Sequence, residues 1–396
     1  MTPWANQPEL ISEFYNWLIS PDAKSVPPRQ AKQTVNQVLK IWEAVTSGSF
    51  VLSLLFDKKF ILSNWLREFE ITRQPATTKA YITSLRHFFY FVINFDPNDV
   101  GVDLKRKCNS LVITCTNWIC VYRKKQKKSR WENDLRQLPE LFTAEDMKKL
   151  DASEVVKSSK ATLKRAIIMR APRMQEFTNA RDYILMYLCL DNASRTGAIA
   201  NMTIKQFGAA TLDGDSHRIM VIDHKTINTA GSACIVVQEE LMKEFREYFL
   251  IRNKLADVGT RRGDPVFISW TGSKMNSSMV TAQISSFWGK AVGHSSVRPR
   301  ISGALVRKST VSKIYENNRH LSGDLAGLMC HSEDTAKRVY ALQDKSRKAV
   351  ETSAAVRRIM RECLNILKYF LTVTYLLPML LCSNDIKPNQ TGRYVT

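Results

Sequence analysis

The sequence predicts a mainly α-helical protein with a small β-sheet, in which an all-helical N-terminal region precedes an α+β region. The first observation is an apolar stripe at helical spacing in TTKAYITSLRHFFYFVINF, residues 77–95. The second is a pair of short strand-like runs, HRIMVID and ACIVVQ, which flank the polar stretch HKTINTAGS and predict a β-hairpin. The third is the return of helical periodicity after the hairpin, from EELMKEFREYFLIRNKL onward.

The N-terminal region carries its clearest helix at residues 77–95. One face of that helix collects apolar side chains: Tyr81, Leu85, Phe88, Phe89 and Val92. A threonine after Pro75, either Thr77 or Thr78, is predicted to cap its N-terminus, and the DPND turn after it is predicted to end the helix. The stretch at 111–125, LVITCTNWICVYRKK, fits either a helix or a strand.

A basic run follows, RKKQKKSRW at 123–131, with six basic residues among its first eight. It fits a solvated linker, a linker that contacts phosphates, a nuclear-localisation signal, or the last two together. Thr143 and Asp146 then form a capping-box pattern that predicts a new helix, which places a domain boundary between 125 and 140. The predicted regions are a helical domain at 1–130, an α+β domain at 131–350, and an apolar helix with a tail at 351–396.

The C-terminal part of the chain holds one strongly apolar segment, ILKYFLTVTYLLPMLLC, residues 366–382. It is short for a membrane span, contains Lys368 and is interrupted by Pro378, so no membrane anchor is expected. We interpret it as a helix that buries its apolar side against its own or a neighbouring subunit, or as a mispredicted end of the chain.

The charge balance points to a polyanionic partner. Lysine plus arginine number 58 against 37 aspartate plus glutamate, a formal net charge of +21. Cations that bind phosphates release condensed counterions, so nucleic acid is the favoured partner over anionic lipid or no partner. The eight cysteines include no C-x-x-C pair and no zinc-ligand spacing, so no metal site is predicted.

The sequence lacks the motifs of several enzyme classes. It has no P-loop, G-x-G-x-x-G fingerprint, G-x-S-x-G elbow or H-E-x-x-H helix. Cutting DNA without a metal requires a nucleophile, permanent cations around the phosphodiester, and a proton donor for the leaving oxygen. Arginine suits the cationic role, because its planar fork grips two phosphate oxygens and keeps its charge.

Five residues could supply these groups. Arg195 lies in DNASRTGAIANMTI, Lys225 in the predicted hairpin turn, and Arg307 at the start of a helix in SGALVRKSTVSKIYE. His331 and Tyr340 lie in LAGLMCHSEDTAKRVYAL. Each alone has a plain structural interpretation, such as a helix-end arginine, a solvated lysine or a packed tyrosine. Their order and spacing on a strongly basic chain favour a shared site.

His331 and Tyr340 can share a site only if the helix is interrupted between them. They stand nine positions apart, and one unbroken helix would place them on opposite faces, about 13 Å apart along its axis. The intervening SEDT predicts the break, since Ser332 or Asp334 can cap a new helix that begins near Thr335.

This ordered set resembles the tyrosine recombinase (phage-integrase-like) family over roughly residues 143–350, and TTKAYITSLRHFFYFV resembles the family's N-terminal core-binding helix. Five of the family's six expected positions match: Arg195, Lys225, Arg307, His331 and Tyr340. The short motifs HKT, VRKSTVS and CHSEDTAKRVY are most similar to those of the Crypton-type branch of eukaryotic mobile-element recombinases.

The resemblance implies a recombinase or transposase in which a helical core-binding domain and an α+β catalytic domain clamp double-stranded DNA. Tyr340 would attack a phosphate to form a 3′-phosphotyrosyl bond, Arg195 and Arg307 would hold its oxygens, His331 would donate a hydrogen bond, and Lys225 would protonate the 5′ oxygen. No cofactor or metal is implied. The resemblance does imply a homo-oligomer, with a dimer on a half-site pair and a tetramer in synapsis. The implied location is the nucleus in a eukaryote and otherwise the cytoplasm or nucleoid.

The sequence departs from the family at one position, because the H-x-x-R motif has Ala304 in place of its histidine. Four residues are possible substitutes for that imidazole: Ser302, Lys308, His294 and His320. The departure motivates a first alternative, a domesticated and catalytically impaired DNA-binding protein. A second alternative is a type IB topoisomerase-like enzyme, which shares the chemistry and acts as a monomer.

Overall fold

The computed structural model describes residues 8–23, 25–97, 100–255, 258–294, 301–339 and 349–362. Contacts between residues divide the chain into two compact units, Met1–Arg136 and Gln137–Thr396. The described part of the first unit is built from helices, and the second combines helices with a three-stranded sheet. The bounds and roles predicted for the three regions of the chain stay predictions.

The elements of the first unit are connected by short turns. They are α1 (Glu9–Ile19), α2 (Pro28–Thr46), α3 (Leu52–Leu55), α4 (Lys58–Phe60), a π-helical segment (Ile61–Leu66), α5 (Arg67–Thr72), α6 (Pro75–Phe95) and α7 (Val102–Gln137), with a 3₁₀ turn at Pro21–Ala23.

Helix α6 provides the centre of the first core. Its apolar stripe is buried as predicted, and Phe88 packs edge-on against Phe14 of α1 with ring centroids 5.3 Å apart. The helix ends at Phe95, where Asp96 adopts a left-handed conformation, as the DPND turn predicts. The predicted threonine cap is wrong. The helix begins at Pro75, because proline needs no hydrogen-bond acceptor in a first turn and its fixed φ suits a helix.

Helix α7 is continuous over 36 residues and includes both 111–125 and the basic run at 123–131. The basic run is therefore helical, and its predicted roles as a linker, a phosphate contact or a nuclear-localisation signal stay predictions. Lysine and arginine are good helix formers, so a charge run fits a helix as well as a linker. The side chain of Tyr122 donates to Glu70 at 2.7 Å, and Lys125 pairs with the same carboxylate at 2.7 Å. These bonds hold the middle of α7 against its own unit.

The second unit contains the sheet. Its elements are a 3₁₀ turn (Leu138–Glu140), α8 (Ala144–Ala152), α9 (Glu154–Lys164), α10 (Met174–Asn192), α11 (Thr196–Asn201), α12 (Ile204–Gly208), β1 (Thr211–Asp213), β2 (Ser216–Val221), α13 (Ile227–Ala230), β3 (Ala233–Gln238), α14 (Glu239–Arg252), α15 (Ser277–Ala291), α16 (Gly303–Asn317), a 3₁₀ turn (Arg319–Leu321), α17 (Ser322–Leu328) and α18 (Glu333–Val339).

The fold class predicted from the sequence is confirmed. Strands β2 and β3 form the predicted antiparallel hairpin, with Ile219 opposite Ile235, and both side chains are fully buried. Strand β1 pairs with β2 and was not predicted, because its three residues are all exposed and carry no alternation of apolar and polar side chains. Thr143 and Asp146 form the predicted capping box at the start of α8.

Helix α10 runs through the core of the second unit, where it packs against α9, α14, α15, α16 and β3. It ends at Asn192, followed by Ala193 in the left-handed region with φ of 45°. The Asn192 side chain is fully buried and pairs with the backbone of Val236 in β3: its Nδ2 donates to the carbonyl at 2.8 Å, and its Oδ1 accepts from the amide at 2.7 Å. This two-bond pairing fixes the turn between α10 and α11 on the sheet.

No helix in the described ranges is long and apolar enough to cross a membrane. Residues 349–362 are helical and largely exposed. The apolar segment at 366–382 lies outside the described residues.

We predict that Asn192→Ala destabilises the second unit by about 2–3 kcal/mol, because it leaves the amide and carbonyl of Val236 without their partner. Urea denaturation followed by circular dichroism measures the change. The matched control is Asn228→Ala, at an exposed site, which should change the free energy of unfolding by less than about 0.5 kcal/mol. Equal effects of the two substitutions would contradict the anchoring role.

Candidate active site

Arg195 lies at the N-terminus of α11, in the short turn that Asn192 anchors. The next residue, Thr196, bonds through its hydroxyl to Ser277 of α15 at 2.8 Å, which fixes the first turn of α11. The Arg195 guanidinium uses two different nitrogens: Nη1 donates to the Thr226 hydroxyl at 3.1 Å, and Nη2 lies 3.4 Å from Nδ1 of His331. Arg195 therefore joins the hairpin connection to the turn before α18.

Arg307 lies in the first turns of α16, whose N-terminus is capped by the Ser302 hydroxyl. Its Nη1 donates to the carbonyl of Ser194 at 3.2 Å, directly beside Arg195. The start of α16 approaches α11 closely: a Cβ added at Gly303 would lie 2.9 Å from the Thr196 side chain. A glycine at this position lets the two arginine-bearing helices meet.

His331 occupies the turn between α17 and α18. Cys330 adopts a left-handed conformation with φ of 51°, and the His331 amide donates to the Ala326 carbonyl at 2.9 Å, which ends α17. The Ser332 hydroxyl accepts from the Thr335 amide at 3.3 Å and starts α18. The break predicted from the SEDT sequence is therefore present, with Ser332 as the cap.

A cleft of about 500 Å³ opens at this junction. Its described lining residues come from α11, the β2–β3 connection and the α17–α18 turn: Arg195, Thr226, Thr229, Ala230, Gly327, Cys330, His331, Ser332 and Thr335. The described residues include no group of three or more side chains able to hold a metal ion.

The imidazole of His331 is neutral near pH 7. Burial, together with the positive charges of Arg195 and Arg307, lowers its pKa from 6.5 to about 4, and burial is the largest of these causes. Because Nδ1 faces the Nη2 donor of Arg195, it acts as an acceptor, and the neutral ring then carries its proton on Nε2. The site thus combines two permanent cations with one neutral hydrogen-bond donor.

The predicted lysine, Lys225, does not line the cleft, and the predicted tyrosine, Tyr340, is not among the described residues. Lys225 is exposed in the β2–β3 connection, between His224 and Thr226. Its neighbour Thr226 lines the cleft, whereas Lys225 is absent from the described lining. Tyr340 lies outside the described residues, and its position remains a prediction.

Two residues of this site were missed by sequence reasoning, Thr226 and His224. Thr226 contacts both Arg195 and the carbonyl of Cys330, 104 positions away. His224 is only 7% exposed and contacts Thr226 at 3.3 Å. Because these partners are distant in sequence or set by the fold of the turn, no local pattern marks them.

Of the four proposed substitutes, two make other contacts and the two histidines belong to segments outside α16. Ser302 is engaged as the helix cap, and Lys308 bonds to Gln137. His294 lies against Gly289 of α15. His320 is exposed in the 3₁₀ turn that follows the far end of the helix.

The first unit carries a second polar cleft, of about 540 Å³, between α2 and α6. It is continuous with a smaller groove along α2, and we call the two together the amide cleft. Its polar residues on α2 are Arg29, Gln30, Lys32, Gln33, Asn36, Gln37 and Lys40. Helix α6 contributes Thr83, Ser84 and His87. None of the described lining residues is acidic.

Comparison with solved structures finds two crystal structures of the XerH site-specific recombinase. The complex with palindromic difH after cleavage is 15% identical with a TM-score of 0.53, and the alignment covers 88% of this chain and 85% of that chain. The complex with difH before cleavage is 14% identical with a TM-score of 0.54, covering 86% and 84%. The chain has the tyrosine-recombinase fold.

The structural similarity accompanies very low sequence identity. A scan of protein-family models finds no match. A search of curated proteins finds no match either. The similarity to these structures is therefore one of fold.

We predict that NMR titration of wild-type protein gives a pKa of about 4 for His331, and that Arg195→Met raises it toward the ordinary 6.5 by removing a neighbouring positive charge. Arg218→Met, at a half-exposed arginine on β2 that pairs with Asp213, is the control and should leave the value unchanged. A wild-type pKa near 6.5 would contradict this description of the cleft.

The same low pKa has a consequence for stability. The unfolded chain binds a proton at His331 more readily than the folded chain does, so the stability contributed by the neutral ring is complete above pH 6.5 and is lost as the pH falls toward 4.

Proposed function

We propose that this protein is a site-specific DNA recombinase that breaks and rejoins strands through a covalent 3′-phosphotyrosyl intermediate on Tyr340. The observation that carries the proposal is that Arg195 and a neutral His331 line one cleft, while Arg307 bonds to Ser194 beside Arg195 and lies near enough to His331 for its charge to lower the pKa of that ring. Two guanidinium groups beside a neutral imidazole donor suit a phosphodiester, which offers two oxygens and one negative charge.

The described contacts support this role for the arginines. Arg195 donates to a hydroxyl and faces a neutral ring, and Arg307 donates to a backbone carbonyl. These acceptors are neutral, and a neutral acceptor orients a guanidinium without cancelling its charge. A bound phosphate would also accept a hydrogen bond from Nε2 of His331.

The chemistry of the proposed step balances without an external energy source. The Tyr340 oxygen bonds to phosphorus as the phenol loses its proton, and the bond between phosphorus and the 5′ oxygen breaks. The departing 5′ oxygen gains a proton, for which Lys225 is the proposed donor. One phosphoester replaces another, so a 5′ hydroxyl can reverse the step and rejoin the strand.

The proposed partner is double-stranded DNA. The net charge of +21 favours it, and the amide cleft presents glutamine and asparagine side chains of the kind that pair with adenine edges in the major groove. Exposed lysines of α7, including Lys124, Lys127 and Lys128, are available to phosphates. We further propose a dimer on paired half-sites and a tetramer in synapsis.

The amino-acid sequences of three short motifs support a more specific proposal. The sequences HKT, VRKSTVS and CHSEDTAKRVY are most similar to Crypton-type recombinases of eukaryotic mobile elements. We therefore propose integration of a transposable element as the biological reaction and the nucleus as its location.

The first experiment traps the proposed intermediate. Incubation with a nicked half-site duplex should give a protein–DNA adduct that resists denaturant. Tyr340→Phe should abolish the adduct, and Arg307→Lys should reduce its rate by at least about 100-fold, because lysine keeps the charge and loses the two-pronged grip. Tyr90→Phe, at an exposed tyrosine of α6, is the control. An adduct that survives Tyr340→Phe would refute the mechanism.

The second experiment separates sequence recognition from charge on one helix, α2. Gln33→Ala should cost about 1–3 kcal/mol of discrimination at one base pair and leave the salt dependence unchanged. Lys32→Ala should lower the slope of log affinity against log salt by about one and leave discrimination unchanged. Binding titrations against a site library at several salt concentrations measure both. The opposite pattern would show that the amide cleft does not contact bases.

One specific observation favours a second candidate, a DNA-binding protein with impaired cleavage: two of the proposed substitutes for the missing histidine are engaged elsewhere, Ser302 as the cap of α16 and Lys308 with Gln137. Under this candidate the wild-type chain binds DNA without forming an adduct. Ala304→His would then restore adduct formation, because it returns the missing imidazole to the first turn of α16. An adduct from the wild-type chain excludes this candidate.

A further inference from the structure

Two side chains flanking Lys225 point into the second unit and bond to each other. The His224 ring is 7% exposed, and its Nε2 lies 2.8 Å from the carbonyl of Gly231. Its Nδ1 lies 3.3 Å from the Thr226 hydroxyl. That hydroxyl lies in turn 3.1 Å from Nη1 of Arg195.

The partners fix the direction of two hydrogen bonds in this series, the one from His224 to Gly231 and the one from Arg195 to Thr226. A carbonyl only accepts, so Nε2 of His224 carries the ring proton, and Nδ1 of the neutral ring is an acceptor. A guanidinium only donates, so the Thr226 oxygen accepts from Arg195. The hydroxyl proton is then left to donate, either to Nδ1 of His224 or to the carbonyl of Cys330 at 3.4 Å.

We infer that Thr226 and His224 are positioning residues for Arg195 and for the backbone on either side of Lys225. Arg195 presents Nη2 to His331 because Thr226 holds Nη1, and Thr226 is oriented because His224 accepts from it. The same pair anchors the backbone on either side of Lys225, whose side chain is exposed between them. The link to catalysis rests on the proposed function, whereas the link to Arg195 does not.

Two substitutions at position 226 test the first bond. Thr226→Val removes the hydroxyl and keeps the shape, so Arg195 loses an acceptor and leaves the His331 ring. The pKa of His331 should then rise from about 4 by roughly one pH unit. Thr226→Ser keeps the hydroxyl and should leave the pKa within about 0.3 of the wild-type value. The chain has six histidines, so single substitutions assign the imidazole signals.

Two substitutions at position 224 separate the nitrogens of the ring. His224→Asn places an acceptor near the position of Nδ1 and loses the donor to Gly231. His224→Gln places a donor near the position of Nε2 and loses the acceptor for Thr226. We expect His224→Asn to keep the low pKa of His331 and His224→Gln to raise it as Thr226→Val does. Thermal denaturation identifies any variant that has lost the fold.

The outcomes decide the inference without DNA. An unchanged His331 pKa in folded Thr226→Val overturns the role of Thr226, and equal values in the two folded His224 variants overturn the role of His224. Where the wild-type chain forms an adduct, Thr226→Val and His224→Gln should slow it at least about tenfold relative to Thr226→Ser and His224→Asn. Failure of all adduct formation would refute the proposed function and leave the positioning result intact.

Discussion

The close approach of the Arg195 guanidinium to the His331 imidazole is the interaction on which the site depends. Their nitrogens lie 3.4 Å apart, and Arg307 bonds to the residue beside Arg195. Two permanent cations this near each other repel, so the fold must hold them in place. It does so with the buried Asn192 carboxamide, the Thr196–Ser277 contact and the close packing at Gly303. An anion that entered the cleft would be attracted by both guanidinium groups.

The neutral state of His331 follows from its burial and from the two nearby arginines. Burial disfavours the protonated ring most, and a third positive charge beside Arg195 and Arg307 adds to that cost, so the pKa is lowered. Electrostatic stabilisation of a phosphoryl transition state needs donors that are already oriented before the reaction. The hydrogen bonds that Arg195 donates to the Thr226 hydroxyl and that Arg307 donates to the Ser194 carbonyl supply that orientation.

Local signals in the sequence predicted much of the fold and three members of the site. The capping box at Thr143, the β2–β3 hairpin and the break after His331 depend on neighbouring residues, and all three are present. The continuity of α7 was not predictable, because lysine-rich stretches suit helices and linkers equally. Thr226 was missed because its partners, Arg195 and Cys330, are distant along the chain. The engagement of Ser302 and Lys308 in other contacts also required coordinates, since Gln137 is distant from Lys308 along the chain.

The most direct test of the central claim is a crystal structure of the protein bound to a half-site duplex. If the cleft is a phosphate site, one backbone phosphate will lie within hydrogen-bond distance, about 3 Å, of Arg195, Arg307 and Nε2 of His331, with the Tyr340 oxygen in line with its 5′ oxygen. A duplex whose phosphates all lie beyond the reach of both guanidinium groups would contradict the account, even if the protein binds DNA tightly.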